Sequence, residues 1–451
     1  MSLSPFESHH REALPDEVRA LFDRIPYAER KRALTDRLTE LDITYAPEQP
    51  IPVSFLPRVL PREYFRTVEA CSRALTELQF AALWDDGFRN GPLRQPGVNA
   101  ALEACGAFDL LPTRIVGGAR YDFAVEGPLV PDNPPRILEL NNIDYAGGGW
   151  IPNSHRALWQ AVPELAEHAE DLEQVHAVGR NLLRIGKRFL QVTGDAPDSA
   201  TDYTLFRQDL RGMAGVEIVG VEDTVFADEA REGRVHFTPQ GLVRNGERFD
   251  ALYFRTMGTR REVDDFGDVI KRIIASRVPT YDSFAQLLLE NKGLWTHLSA
   301  WSDRLVDAPK AALLRKMILP TEYLTTTLID EVRRDPRDRV LKKADGHLGK
   351  TVYVGEELLP ILDQIEDPRE WCVQSRVRLN TLATDPSTAG PMTSIVDLGV
   401  YVTFVWDPSR KGADRLVHFE VAGLLTRSSP DNPKVNVALG GCVVPVFVAK
   451  A

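Results

Sequence analysis

Between residues 11 and 41 the apolar positions Leu21, Ile25, Ala28, Leu34 and Leu38 fall roughly on one helical face, and Leu14-Pro-Asp16 supplies a start signal. A helical lead-in is expected there. Pro47, Pro50, Pro52, Pro57 and Pro61 then dictate an extended connection, because proline lacks the N–H that a helix interior uses, and Tyr64 to Trp84 returns to a long amphipathic helix. From residue 113 the period shortens to two. Thr113 to Gly117, Arg120 to Val125 and Arg136 to Asn141 read as strands separated by turn residues, and helix resumes over Leu158 to Leu190. Further on, Thr204-Leu-Phe206 and Val216 to Val221 read as strands around a helix at 208 to 213. A hairpin around Asn245-Gly246 follows, then the apolar strand Ala251 to Phe254. Residues 262 to 335 carry mainly helical spacing. Residues 339 to 343, 351 to 354, 371 to 374, 394 to 406 and 416 to 425 read as the strands of a final sheet. This alternation predicts a multi-domain α/β protein.

The 451 residues allow two or three domains. Lys and Arg total 54 against 65 Asp and Glu, a net charge of -11, which argues against nucleic acid or a membrane surface as the main partner. No stretch of about 18 apolar residues is present, and the first ten residues carry neither a basic start nor an apolar core, so a cytoplasmic protein is expected. Cys71, Cys105, Cys372 and Cys442 are far apart, without zinc spacing, and are expected as reduced, buried thiols. A homodimer is left open.

The chemistry concentrates in Arg136-Ile-Leu-Glu-Leu-Asn-Asn-Ile-Asp-Tyr-Ala-Gly-Gly-Gly-Trp150 and in Arg120-Tyr-Asp-Phe123 before it. Strand alternation turns Glu139 and Asn141 to one face, so a carboxylate and an amide oxygen meet where an apolar strand gives out into glycines. Such oxygens suit a hard cation. Ala344-Asp-Gly-His-Leu-Gly-Lys-Thr351 nearly spells a phosphate-binding Walker A loop, but Ala344 stands where that loop needs glycine and the following Thr351 to Val354 is strand-like rather than helical. A hairpin is expected instead, with its glycine tip over nucleotide phosphates and Lys342 or Lys343 supplying charge.

Taken in order, these pieces resemble the eukaryotic-type glutathione synthetases of the ATP-grasp superfamily, with a looser likeness to glutathionylspermidine synthetase. Arg120-Tyr-Asp-Phe with Arg136 to Gly149 is similar to the family's RSDY, IEINT and GG pattern; Phe254 to Gly258 is similar to YFRDGY, Val340-Leu-Lys to VLKP, and Val352 to Glu357 to LYGEE. Leu398-Gly-Val and the Gly423 to Arg427 region resemble LGIF and HLLRT. The resemblance implies a permuted ATP-grasp fold with regions at 1–110 (helical), 111–175 (the metal-carrying strand pair), 176–285 (substrate-binding α/β) and 286–451 (nucleotide-binding). It implies ATP and Mg, with amino-acid-like small molecules as substrates of an ADP-forming carboxylate–amine ligase. A non-catalytic nucleotide-binding protein and a small-molecule kinase stay open as alternatives. Glu139, Asn141 and Asp345 would then hold Mg; Asp345 enters because Gly346 stands where the family has a glutamate. Arg120, Arg255 and Arg427 would serve catalysis, and Lys292, Lys342, Lys343, Gly346, Gly349 and Gln374 the nucleotide. Asp122, Asp144, Tyr145 and Gly148 would line the substrate.

Overall fold

The computed structural model describes the chain apart from residues 1–9, 47–48, 95–99, 109–110, 113, 144–146, 195–199, 256–259, 347–350, 431–433, 436, 438–440 and 451. Among the described residues the largest element is an eleven-stranded mixed sheet. Its central strand, Ile115–Ala124, is one continuous run rather than the two expected, since Gly117 and Gly118 sit inside it without breaking the pairing. On one edge it pairs antiparallel along its length with Leu398–Trp406, which pairs in turn with Leu416–Ser429. Beyond the other edge lies a parallel α/β half: Thr280–Tyr281, Ala251–Arg255, Arg188–Thr193 and Glu217–Glu222. The boundaries expected at 175 and 285 fall between strands of this one sheet.

Both faces of the sheet are covered, and residues alternate between two cores as the period of two requires. Val400, Val402 and Phe404 join one core with Tyr121, Phe123 and the long helix Arg62–Trp84, whereas Tyr401 and Val405 join the other with Trp150, Leu158 and Phe447. A second sheet of four antiparallel strands, in the order Thr321–Tyr323, Trp371–Ser375, Arg339–Lys343 and Val352–Val354, closes over a small core of its own around Leu328, Leu341 and Val373. The N-terminal region is mainly helical, through Asp16–Arg24, Tyr27–Glu40 and Arg62–Trp84, and it also contributes the strand Arg58–Leu60, which pairs with Val446–Ala449.

Two expectations are corrected. Thr204 to Phe206 lies in the helix Ala200–Asp209: Tyr203, Phe206 and Leu210 are buried at three- and four-residue spacing, so packing overrides the strand-like β-branched and aromatic composition. Leu190 lies in the strand Arg188–Thr193, the preceding helix having ended at Leu182. All four cysteines are buried and unpaired, and no helix among the described residues is long and apolar enough to cross a membrane.

Candidate functional site

The central strand forks on one edge. Its start pairs with Tyr281 at Val116, while its end, from Arg120 onward, pairs antiparallel with Arg136–Asn141. Between the two partners Gly118 bonds to side chains instead of a strand: its N–H donates to Asp282 Oδ1 at 2.7 Å, and its carbonyl accepts from Gln286 Nε2 at 3.2 Å. A Cβ at Gly117 would stand 2.5 Å from Asp282, which is why glycine is needed there. Change of strand partner opens a crevice in an α/β sheet, a usual place for a ligand.

At this fork lie the residues singled out in the sequence. Asp122 is directly opposite Glu139 and Arg120 opposite Asn141, and the register shifts between Asp122 and Phe123, so Leu138 is an extra residue bulging from its strand. Arg120 clamps Asp122 through Nε at 2.7 Å and Nη2 at 2.9 Å. Asn141 donates to Asp122 at 3.2 Å. From two strands away in the same sheet, across Leu398–Trp406, Arg427 reaches Asp122 at 3.0 Å and is fastened to Asp397 through Nε at 2.8 Å and through Nη2.

Two lysines enter from outside the large sheet. Lys292 sits just beyond the helical turn Phe284–Leu287; its ammonium meets Glu139 at 2.8 Å and also the carbonyl of Gly346. Lys342, next to the end of the strand Arg339–Lys343 in the smaller sheet, donates to Gln374 Oε1 at 2.7 Å and to the carbonyl of the bulged Leu138 at 3.0 Å. These contacts join the two sheets. Burial pushes the Glu139 carboxyl up, but the Lys292 ammonium, with Lys342 behind it, holds it below its ordinary value, so it is ionised. Burial lowers Lys342, whereas Glu139 outweighs burial at Lys292 and raises it. Asp122 is likewise held low by Arg120 and Arg427 against a burial that raises it.

Other expected site residues stand elsewhere. Lys343 points away from Lys342, toward Asp345 at 3.8 Å and Glu370 at 3.5 Å, and Asp345 is 45% exposed. Residues 339 to 343 and 352 to 354 do form the antiparallel hairpin expected in place of a Walker loop. Gly346, whose carbonyl holds Lys292 in the cluster, is buried at its base, and Gly349 lies outside the described residues, as do Asp144 and Tyr145. Arg255, expected to face a substrate carboxylate, is only 1% exposed and pairs with Asp202 at 3.4 Å under the rings of Tyr203 and Phe206. Its position at a strand end looked like a mouth, but the helix Ala200–Asp209 closes over it. Asp202 in turn accepts the N–H groups of Gly147, Gly149 and Trp150, capping the helix Trp150–Ala161. Gly148, expected against substrate, is buried there, with a Cβ position 3.1 Å from the Phe206 ring.

Three side chains that hold the candidate site's residues in place escaped the sequence reading. Asp397 orients Arg427, Asp202 pairs Arg255, and Glu290 accepts the N–H groups of Asn142 and of Ile143, the latter at 2.8 Å, fastening the chain just past Asn141. Burial raises Glu290 to about 8. The one available signal was Glu290's place two residues before Lys292.

No family model and no curated protein matches the chain in sequence. Among solved structures it is similar to a glutathione synthetase-like effector, GSS30, from Globodera pallida in its apo form, with a TM-score of 0.66 at 14% identity over 96% of this chain and 98% of that one. The chain thus has a mixed α/β, multi-sheet fold of the glutathione synthetase-like kind.

Proposed function

We propose that the chain is an ATP-grasp carboxylate–amine ligase, joining an amino-acid-like carboxylate to a small amine or amino acid with release of ADP and phosphate. The observation that carries this reading is the meeting of Glu139, Lys292 and Lys342 from three separate elements at the fork of the large sheet, where they tie it to the smaller one. Both ammonium groups rest on partners that phosphate oxygens replace without loss of hydrogen bonds: a carboxylate and a carbonyl for Lys292, an amide oxygen and a carbonyl for Lys342.

Glu139 and Asn141 fit magnesium in ligand type and ionisation. Among the described residues no three His, Cys, Asp or Glu side chains converge on a metal position. This suits magnesium, which takes one or two protein oxygens and completes its shell with phosphates and water. Magnesium, when bound, neutralises charge on the phosphates. Asp345 is the third ligand only if it leaves Lys343.

Arg120, locked by Asp122, presents a fixed guanidinium to the transferring phosphoryl group. Arg427 binds Asp397 and Asp122 through Nε and Nη2 alone, and its Nη1 edge, without a partner among the described residues, is left for a substrate carboxylate. Phosphorylating a carboxylate makes its carbon electrophilic toward an amine, and the stretch that follows Lys343, with Gly346, would exclude water from that product. Arg255 is a positioning residue, acting through Asp202 on the Gly147 to Trp150 turn.

Incubation with Mg-ATP and pools of amino acids and amines tests this: mass spectrometry should find one pair condensed with loss of water, alongside ADP and phosphate. Nucleotide binding without phosphate release for any pool supports the second reading, a non-catalytic nucleotide-binding protein, which the exposed and separately paired Asp345 favours. A phosphorylated product that forms without an amine supports a kinase.

A further inference from the structure

At the other end of the central strand the chain lines a cavity of about 320 Å³. That volume lies at the lower end of small-molecule pockets, roughly 300–1,000 Å³. Val116 in its wall is six residues from Asp122, about 20 Å along a strand. Its walls are largely apolar, with Leu111, Val116, Ile185, Ile273, Val278 and Phe284 among them, and Thr280 and Ser283 add hydroxyls.

Three arginines ring this apolar space, and among the described residues no Asp or Glu lines it. Arg114 immediately precedes the central strand, Arg184 follows the helix Gln174–Leu182, and Arg277 joins the helix Arg260–Ser276 to the strand Thr280–Tyr281. All three are exposed, and none of their guanidinium groups forms a hydrogen bond or ion pair among the described residues. Asp407, which feels the Arg114 charge, is engaged by Ser409 and Arg410. The Arg184 charge reaches past the cavity: after burial it is the largest influence that holds His418 below its ordinary value, against the Glu420 carboxylate that raises it. In a chain of net charge -11, three cations without a partner among the described residues repel one another around one cavity, and an anion relieves that repulsion.

Arg277 adds an independent mark. Its φ is 55°, in the left-handed region, at a helix exit where glycine is favoured. The chain keeps an arginine there against its backbone preference, and that arginine lines the cavity.

We propose that this cavity binds a small amphipathic anion, an apolar or aromatic body carrying a sulfonate, phosphate or carboxylate, at a site separate from the Glu139 cluster. The apolar walls take the body and the arginines the charged group, with bidentate geometry available to each guanidinium. The proposal does not rest on the ligase reading.

Fluorescence titration of the full chain with 1-anilinonaphthalene-8-sulfonate tests it. Saturable one-to-one binding is expected, weakened at least about tenfold in Arg184→Glu and in Arg277→Glu, and retained in Lys342→Met. N-phenyl-1-naphthylamine, the probe without its sulfonate, should bind at least about tenfold more weakly. Arg277→Gly separates binding from folding: it relieves the backbone, so Tm should hold or rise while binding falls. Absence of saturable binding, equal binding in both charge-reversed variants, equal binding of the neutral compound, or loss of binding in Lys342→Met would each overturn the proposal.

Discussion

Two buried charge clusters in this chain look alike and are built differently. Arg58, only 1% exposed, gives every edge of its guanidinium to fixed partners: Glu12 at 2.8 Å through Nε and again through Nη2, and the Asp397 carbonyl at 2.7 Å and Thr426 hydroxyl at 2.9 Å through Nη1. Asn380 completes Glu12 at 2.8 Å. All of these groups belong to packed N- and C-terminal segments. In the Glu139 cluster the two lysines are buried but Glu139 keeps 28% of its side chain exposed, and the lysines lean on a glycine carbonyl, a bulged carbonyl, one amide and one carboxylate, at the fork between two sheets. Charge fully enclosed by permanent partners fixes structure; charge at a seam with replaceable partners suits a ligand.

The largest effect that would break this contrast comes from Glu139→Gln, expected to reduce Mg-dependent ADP formation by roughly 10²–10³-fold, the cost of deleting one preorganised electrostatic partner. Circular dichroism should be unchanged, and unchanged turnover would contradict the metal role. Arg58→Ala belongs to the structural side and should cost about 3–5 kcal/mol in denaturant unfolding, because Glu12 is left buried without its counter-charge. A cost near zero would erase the distinction between the clusters.

A subtler effect tests Glu290. Burial keeps its carboxyl protonated up to about 8 rather than 4.5, so between those values the folded chain holds a proton that the unfolded chain has lost. Stability should therefore fall as pH rises from about 4.5 to about 8, and Glu290→Gln should remove that part of the slope in urea melts across this range. A slope identical in both proteins would contradict it. The smallest effect is expected from Lys343→Ala, within about 0.5 kcal/mol in stability and with nucleotide affinity unchanged, since its partners lie 3.5 and 3.8 Å away on the surface. A tenfold loss of affinity would move the phosphate contact from Lys342 to Lys343.

The same contrast explains what could be read from the sequence. The strand Arg136–Asn141, the long helix and the hairpin beginning at Arg339 were legible because each is local: period-two or period-3.6 patterning with turn residues at the ends. Glu139, Asn141 and Lys342 came with them. Asp397 and Asp202 did not, because their roles arise from folding: Arg427 meets Asp122 across 305 positions of chain and Arg255 meets Asp202 across 53. The strand-end position of Arg255 pointed to an open mouth, and nothing local revealed that Tyr203 and Phe206 would cover it. Likewise the fork is a property of which strands pair, and Gly117 alone hinted at it.

Calorimetric titration of Mg-ATP into the native chain and into Lys342→Met tests the central claim most directly. The account predicts one-to-one binding by the native chain, weakened at least about tenfold in the variant while thermal unfolding stays cooperative. Equal affinity in both proteins, or no binding by the native chain, would contradict a nucleotide site at the seam of the two sheets.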